Sequence, residues 1–143
     1  VLNGTYRRVS ALPEAVLQAF ITCDVEIVKI LNLIAILMDS RLFFEFLREV
    51  YNEKIRLGEK EITDRDLNVF FADKAMQSDV VAGWTDTAVR KLKQCFTRMM
   101  FEAGLLESSV KPRTIKQVHI DYRTEELLTA NGLGKYLKAV KGV

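Results

Sequence analysis

Residues 62–122 read ITDRDLNVFFADKAMQSDVVAGWTDTAVRKLKQCFTRMMFEAGLLESSVKPRTIKQVHIDY, a pattern that predicts a helix, a turn, a second helix and two short β segments. Thr63 is placed to cap the first helix, and a break follows at residues 78–83. Thr85 is placed to cap a longer helix that ends before Gly104, where we expect a left-handed cap. This order is that of a winged helix-turn-helix, so the second helix is the candidate reader of nucleic acid.

The second helix is predicted to be amphipathic. With successive residues about 100° apart, one sector of its surface is apolar and contains Val89, Leu92, Phe96, Met99, Met100 and Ala103. The opposite sector carries cations and amide or hydroxyl donors, the groups that bind phosphates and base edges: Arg90, Lys91, Gln94, Thr97 and Arg98. Taken alone, this sector is equally typical of a solvated helix face that has no partner.

The segment after the second helix favours the DNA-binding interpretation. A Lys-Pro-Arg loop at residues 111–113 precedes Val118, Ile120 and Tyr122, which alternate with polar residues as in a half-buried strand. Residues 59–62 are predicted to form a short strand that pairs with this wing. The cations beside the loop are expected to follow the phosphate backbone: Lys111, Arg113 and Lys116.

The rest of the chain is predicted to be helical, at residues 13–21, 25–38, 41–57, 124–130 and 133–140. Asp24, Ser40 and Thr124 are predicted N-caps, and Gly58 is placed to end the third of these helices. The sequence therefore predicts a mainly α fold in three parts. These are an N-terminal helical layer (1–39), a winged helix-turn-helix with a small β-hairpin wing (40–123), and short C-terminal helices packed on it (124–143).

Charge is unevenly distributed along the chain. The net charge of +2 is the sum of −3 over residues 1–84 and +5 over residues 85–143. The second part contains 11 Lys and Arg and 6 Asp and Glu. The basic half is the half that contains the predicted reading helix and wing. Such segregation suits a polyanionic partner, because Lys and Arg near a duplex displace condensed counterions.

Enzymatic function is not expected from the motifs. His119 is the one histidine, and we interpret it as a half-exposed strand residue rather than a catalytic base. Cys23 and Cys95 lack metal-ligand spacing, and no phosphate-binding glycine loop is present, so neither a metal nor a cofactor is predicted. The most apolar run, residues 27–38, is shorter than the roughly 20 residues that cross a bilayer, so it predicts a buried helix and no membrane partner.

Four segments in order resemble the BrxA family, small accessory proteins of BREX phage-defence loci. They are LNLIAIL at residues 31–37, RLFFEFL at 41–47, TDRDLN at 63–68 and AGW at 82–84, just before the basic helix. The resemblance covers most of the chain, and the combination is more specific than any one segment.

The resemblance implies a largely helical fold with winged-helix character, which has been compared with NusB-type antitermination proteins. It also implies binding of double-stranded DNA without known catalysis. Family members carry additional N-terminal sequence, in keeping with a chain that begins at Val1, so we expect a piece of a longer protein. The family supplies no set of binding residues that could be transferred to this sequence.

The sequence thus predicts a cytoplasmic, non-enzymatic, DNA-binding accessory protein of phage defence, with weak sequence specificity and no small-molecule substrate. Other proteins of the defence system are further predicted partners. One alternative is a protein adaptor that docks those proteins through its acidic N-terminal layer. A second alternative is an RNA-binding factor of the antitermination kind. Salt dependence distinguishes the first alternative, and competition between duplex DNA and structured RNA distinguishes the second.

Overall fold

The computed structural model describes residues 12–22 and 25–141, and this part of the chain is mainly helical, as predicted. Its helices are α1 (Glu14–Thr22), α2 (Val25–Asp39), α3 (41–56), α4 (Asp64–Gln77), α5 (Asp79–Ala82), α6 (Asp86–Glu102), α7 (Tyr122–Ala130) and α8 (Gly134–Lys141). Helix α3 is α-helical at Arg41–Phe46 and Asn52–Arg56, with a π-helical segment, Leu47–Tyr51, between them. Cys23 and the predicted cap Asp24 lie outside the described residues.

Local polar contacts begin the central helices where the sequence predicts. The side chains of Ser40, Thr63 and Thr85 each accept a hydrogen bond from the backbone amide three residues later, at 3.3, 3.2 and 3.1 Å. Asp66 completes a capping box, because its carboxylate accepts a hydrogen bond from the Thr63 amide at 2.8 Å. Gly104 ends α6 with a φ of +88°, a conformation that a side chain would strain. The predicted caps at Ser40, Thr63, Thr85 and Gly104 are confirmed.

Three local predictions differ from the structure. The break at residues 78–83 contains the short helix α5. The predicted strand at 118–122 does not form either, because α7 begins at Tyr122, whose side chain is exposed. Asp121 rather than Thr124 is the N-cap of α7, accepting hydrogen bonds from the Thr124 amide at 3.4 Å and from its hydroxyl at 2.6 Å. The alternating pattern favours a strand here, but the cap formed by Asp121 stabilises the start of a helix instead.

The predicted β-hairpin wing is also wrong, since no strand forms within the described residues. Two isolated antiparallel bridges, Glu61–Thr114 and Leu106–Ile115, stand in its place. The predicted strand pairing of residues 59–62 with the wing region is therefore reduced to the single bridge between Glu61 and Thr114. Two backbone hydrogen bonds flank each bridge, and Pro112, which has no N–H to donate, lies just before the paired residues. The ladder is consequently too short to make a sheet.

The core is built around α3 and the face of α6 that packs against it. The Phe96 ring of α6 lies 4.8 Å from that of Phe43 and 5.5 Å from that of Phe46, both on α3, and 5.6 Å from that of Phe71 on α4. Such aromatic pairs add to the free energy of burial itself. The predicted apolar sector of α6 is accordingly inward, with its centre at Phe96, whereas Leu92 is only half-buried.

Helix α3 separates two sides of the molecule. Phe43 faces α6, but the next residue, Phe44, contacts Tyr136 of α8 edge to face at 5.2 Å. Because successive helical residues point about 100° apart, α6 and α8 lie against different sides of α3. The Tyr51 hydroxyl of α3 donates a hydrogen bond to the Lys116 carbonyl at 3.3 Å, which ties α3 to the segment after the loop.

Helix α2 contains the apolar run that the sequence assigns to the core, and this prediction is confirmed. Its buried residues are Ile30, Leu31, Leu33, Ile34, Ala35, Ile36 and Leu37. In the described part of the chain, no helix is both long and apolar enough to cross a membrane.

We expect Phe96→Ala to lower the free energy of unfolding by about 3–5 kcal/mol, because it opens a cavity between three rings. Phe101→Ala is the matched control on the same helix, where the side chain is 43% exposed, and its expected loss is about 1 kcal/mol or less. Urea denaturation of both variants measures the difference. Equal losses would mean that α6 packs with another face inward.

Candidate nucleic-acid interface

A groove of about 470 Å³ lies between α6 and the loop at residues 108–113, with α4 as its floor. We call it the α6 groove. Its lining residues are Asp64, Leu67 and Asn68 of α4, Arg90, Lys93, Gln94 and Thr97 of α6, and Ser109, Val110, Lys111 and Arg113 of the loop. Five of the eight predicted site residues therefore meet here: Arg90, Gln94, Thr97, Lys111 and Arg113.

Positive charge dominates the α6 groove. The lining carries a net charge of +3, because it contains four cations and one carboxylate, Asp64. The cations are Arg90, Lys93, Lys111 and Arg113. The cations come from segments about 20 residues apart in sequence that the fold brings to opposite walls. A concave surface lined by one sign of charge concentrates the field and attracts an anion more strongly than a flat surface does.

The α6 wall presents free polar groups. Arg90 and Gln94 are exposed, and neither has a side-chain partner among residues 12–22 and 25–141. Lys93 also lines this wall, although it was not among the predicted site residues. Its ammonium donates a hydrogen bond to the Asn68 amide oxygen and lies 5.9 Å from the centre of the Phe71 ring. Its position three residues after Arg90, on one helical face, is the signal that could have found it.

Thr97 does not present its hydroxyl to the groove. The residue is only 5% exposed, and its hydroxyl donates to the Gln94 and Lys93 carbonyl oxygens at 3.0 and 3.2 Å. The predicted exposure of Thr97 is therefore wrong. A threonine within a helix satisfies its hydroxyl on the preceding turn, which a helical wheel does not reveal.

The loop wall is held in place through Asp64. Lys111 and Arg113 both form ion pairs with this carboxylate. Arg113 also donates from Nη1 to the Ile62 carbonyl at 3.1 Å, and its side chain is only 11% exposed, against 68% for Lys111. Arg113 is thus a brace between loop and α4 rather than the open wing cation that the sequence predicts, whereas Lys111 keeps most of its surface in solvent.

The two cations also affect the protonation of Asp64. Hydrogen bonds from Lys111 and Arg113 hold the pKa of Asp64 below its ordinary value. The carboxylate is therefore charged throughout the neutral range, and the ion pairs persist there. Because the folded-state pKa is lowered, their contribution to stability is present above the ordinary pKa and is lost as pH falls through the lowered one.

The other three predicted site residues lie outside the lining of the α6 groove. Lys91 and Lys116 are exposed, and within the described ranges neither side chain has a partner. Arg98 is exposed as well and pairs with Glu102, one turn further along α6, at 3.3 Å. The fold therefore divides the predicted set into a groove and three flanking surface cations.

The fold and groove define a mainly helical protein with a basic face on the longest of the described helices. A family model for BrxA matches residues 1–132. A BREX protein BrxA from Bacillus cereus (strain H3081.97) is 35% identical over 142 residues, which cover 99% of this chain and 71% of the relative. The chain belongs to the BrxA family, and the resemblance found in the sequence is confirmed.

A solved structure shares the fold. The crystal structure of an uncharacterized protein from Magnetospirillum magneticum superimposes with a TM-score of 0.83, at 18% sequence identity. The match covers 95% of this chain and 71% of the other. At this level of identity the likeness establishes the common fold alone.

We expect Arg113→Ala to lower the free energy of unfolding by about 1–3 kcal/mol, because it breaks a half-buried charge-assisted network and leaves the Ile62 carbonyl without this donor. Lys111→Ala is the matched control on the same carboxylate. Its exposed ion pair should contribute less than about 1 kcal/mol. Thermal and urea melts of the two variants test the assignment, and a larger loss for Lys111→Ala would contradict it.

Titration of Asp64 provides a second test. The midpoint of its side-chain carboxyl carbon shift, followed by NMR, should lie below the ordinary range of an aspartate and move upward in Lys111→Ala. Lys91→Ala removes an equal charge from outside the α6 groove and should leave the midpoint unchanged. An ordinary midpoint in the unmodified protein would mean that the two ion pairs are not formed in solution.

Proposed function

We propose that this protein binds double-stranded DNA through the α6 groove and acts as a non-enzymatic accessory factor in BREX phage defence. The observation that carries the proposal is the convergence of four cations and one carboxylate on a single groove beside an exposed helix face. Membership of the BrxA family, and the name of its Bacillus cereus relative as a BREX protein, support the role in defence.

The proposed binding mode is that of a helix-turn-helix with a loop in place of a wing. Helix α6 is long enough, at 17 residues, to lie along a major groove, which is about 12 Å wide. Arg90 and Gln94 then face base edges or phosphates, and Lys111 reaches a phosphate from the opposite wall. Helix α4 supports α6 through Asn68 and Lys93, while Arg113 keeps the loop in position.

Weak sequence preference follows from the same geometry. Arg90 and Gln94 are the free groove side chains of α6 suited to base edges, whereas the flanking cations, Lys91, Arg98 and Lys116, suit phosphates. Phosphate contacts do not distinguish sequences, and they make affinity depend steeply on salt. We therefore expect DNA binding to be dominated by electrostatics.

Fluorescence anisotropy with a labelled random-sequence duplex across a salt series tests this function. The expected dissociation constant at physiological salt is roughly 10⁻⁴ to 10⁻⁶ M. Arg90→Ala and Lys111→Ala should each weaken binding and lower the slope of log affinity against log salt by about 1 for each phosphate that the variant no longer neutralises. Gln94→Ala, which changes no charge, should keep the slope and alter only the ranking of different duplexes.

Lys138→Ala is the matched control, because Lys138 is an exposed cation on α8 with no partner among the described residues. It should leave both affinity and slope unchanged. Affinity that stays constant as salt rises several-fold would contradict DNA binding and favour the adaptor function. Structured RNA that displaces the duplex at lower concentration than unlabelled duplex would favour RNA binding instead.

A further inference from the structure

A second and larger cleft, of about 620 Å³, lies on the other side of α3 from the α6 groove. We call it the α3–α8 cleft. The residues that matter for its chemistry are Phe44, Arg48 and Asn52 on α3 and Lys135, Tyr136 and Lys138 on α8. Its volume is in the range of small-molecule sites, which run from about 300 to 1,000 Å³.

Cations at the rim of this cleft lack counter-charges. Arg48, Lys135 and Lys138 are all exposed, and none of them pairs with a carboxylate within the described part of the chain. The remaining cation of the lining, Arg41, is different, because it pairs with Glu45 at 3.2 Å. Three free positive charges around one concave surface form a site suited to a multiply charged anion.

The walls of the cleft include an aromatic surface. Phe44 and Tyr136 contact each other edge to face at 5.2 Å, and both side chains are half-buried. Arg48 and Lys135 lie 5.5 and 5.9 Å from the centre of the Phe44 ring, so positive charge and aromatic surface adjoin directly. A ligand that combines phosphates with a flat ring would match both features.

Asn52 adds a specific polar group. Its side-chain oxygen is buried and receives no hydrogen bond from the described residues. A buried acceptor without a donor is destabilising, and because Asn52 lines the cleft, a ligand donor that reaches this oxygen would satisfy it. Asparagine amides pair well with the amino edge of adenine.

We propose that the α3–α8 cleft binds an adenine nucleotide. The phosphates contact Arg48, Lys135 and Lys138, the base lies against Phe44 and Tyr136, and its amino group donates to Asn52. This site is independent of the proposed DNA function, since Phe43 and Phe44 direct α6 and α8 to different sides of α3. It also departs from the sequence-based expectation of no small-molecule partner.

Isothermal titration with ADP, inorganic pyrophosphate and adenosine tests the proposal on the whole chain. We expect ADP to bind at least about ten-fold more tightly than either fragment, because phosphate and base contacts act together. Lys138→Ala should weaken ADP binding about three-fold or more. Arg90→Ala, an equal charge change in the α6 groove, should have no effect.

Asn52→Ala provides the most specific readout. It should weaken ADP binding about ten-fold and leave pyrophosphate binding unchanged. Its melting temperature should equal or exceed that of the unmodified protein, because the substitution removes an unsatisfied buried oxygen. A loss of ADP affinity in a variant that is no less stable cannot be attributed to unfolding.

Several outcomes would overturn the assignment. Equal affinity for ADP and pyrophosphate would reduce the cleft to a general anion site, and a loss in Arg90→Ala as large as that in Lys138→Ala would place the nucleotide in the α6 groove. Binding of a polyglutamate peptide, sensitive to Lys138→Ala and without measurable ADP binding at millimolar concentration, would assign the cleft to an acidic protein segment.

Discussion

The packing of the Phe96 ring against Phe43 and Phe46 is the interaction on which the rest of the structure depends. It joins α6 to α3 and thereby decides which face of α6 is buried and which is left to solvent. The outward face carries Arg90 and Gln94 because the inward face is taken by this ring. Since successive helical residues diverge by about 100°, the same contact directs Phe44 away from α6 and toward α8. One aromatic contact thus positions both the α6 groove and the α3–α8 cleft.

The α6 groove contains charged side chains of two kinds: some form ion pairs that hold the loop, and others have no charged partner among the described residues. Asp64 lies in the first turn of α4, where the helix dipole favours a carboxylate, and it also binds two cations of the loop. The Arg113 side chain is largely buried because it holds that loop, whereas the Arg90 side chain is exposed and does not hold the loop. In the proposed complex with DNA, the polyanion would meet a preformed wall, because Arg113, which orders the loop, is distinct from the side chains available for contact. Preorganisation of this kind reduces the entropy lost on binding.

Helix starts and the buried face of α6 could be predicted from sequence, but the loop segment could not. The side chains of Ser40, Thr63 and Thr85 accept hydrogen bonds from amides only three residues away, so these helix caps can be predicted from the local sequence. The alternation at residues 118–122 indicated a strand, yet Asp121 begins a helix there. Strand formation depends on partners distant in sequence, and the two isolated bridges form at Thr114 and Ile115, before this segment.

The sequence by itself determined the family, through its resemblance over four ordered segments. It also determined the mainly helical class and the amphipathic character of α6, because these two depend on local spacing and capping. Tertiary structure decided which polar residues remain free. Thr97 turned its hydroxyl inward and Arg113 became a brace, while Lys93 joined the α6 groove. The physical reason is that a helical wheel gives the direction of a side chain but not its hydrogen-bond partners. The partners of Arg113 and Lys93 come from other segments, which meet them only once the chain has folded, whereas the Thr97 partners lie on the preceding turn of the same helix.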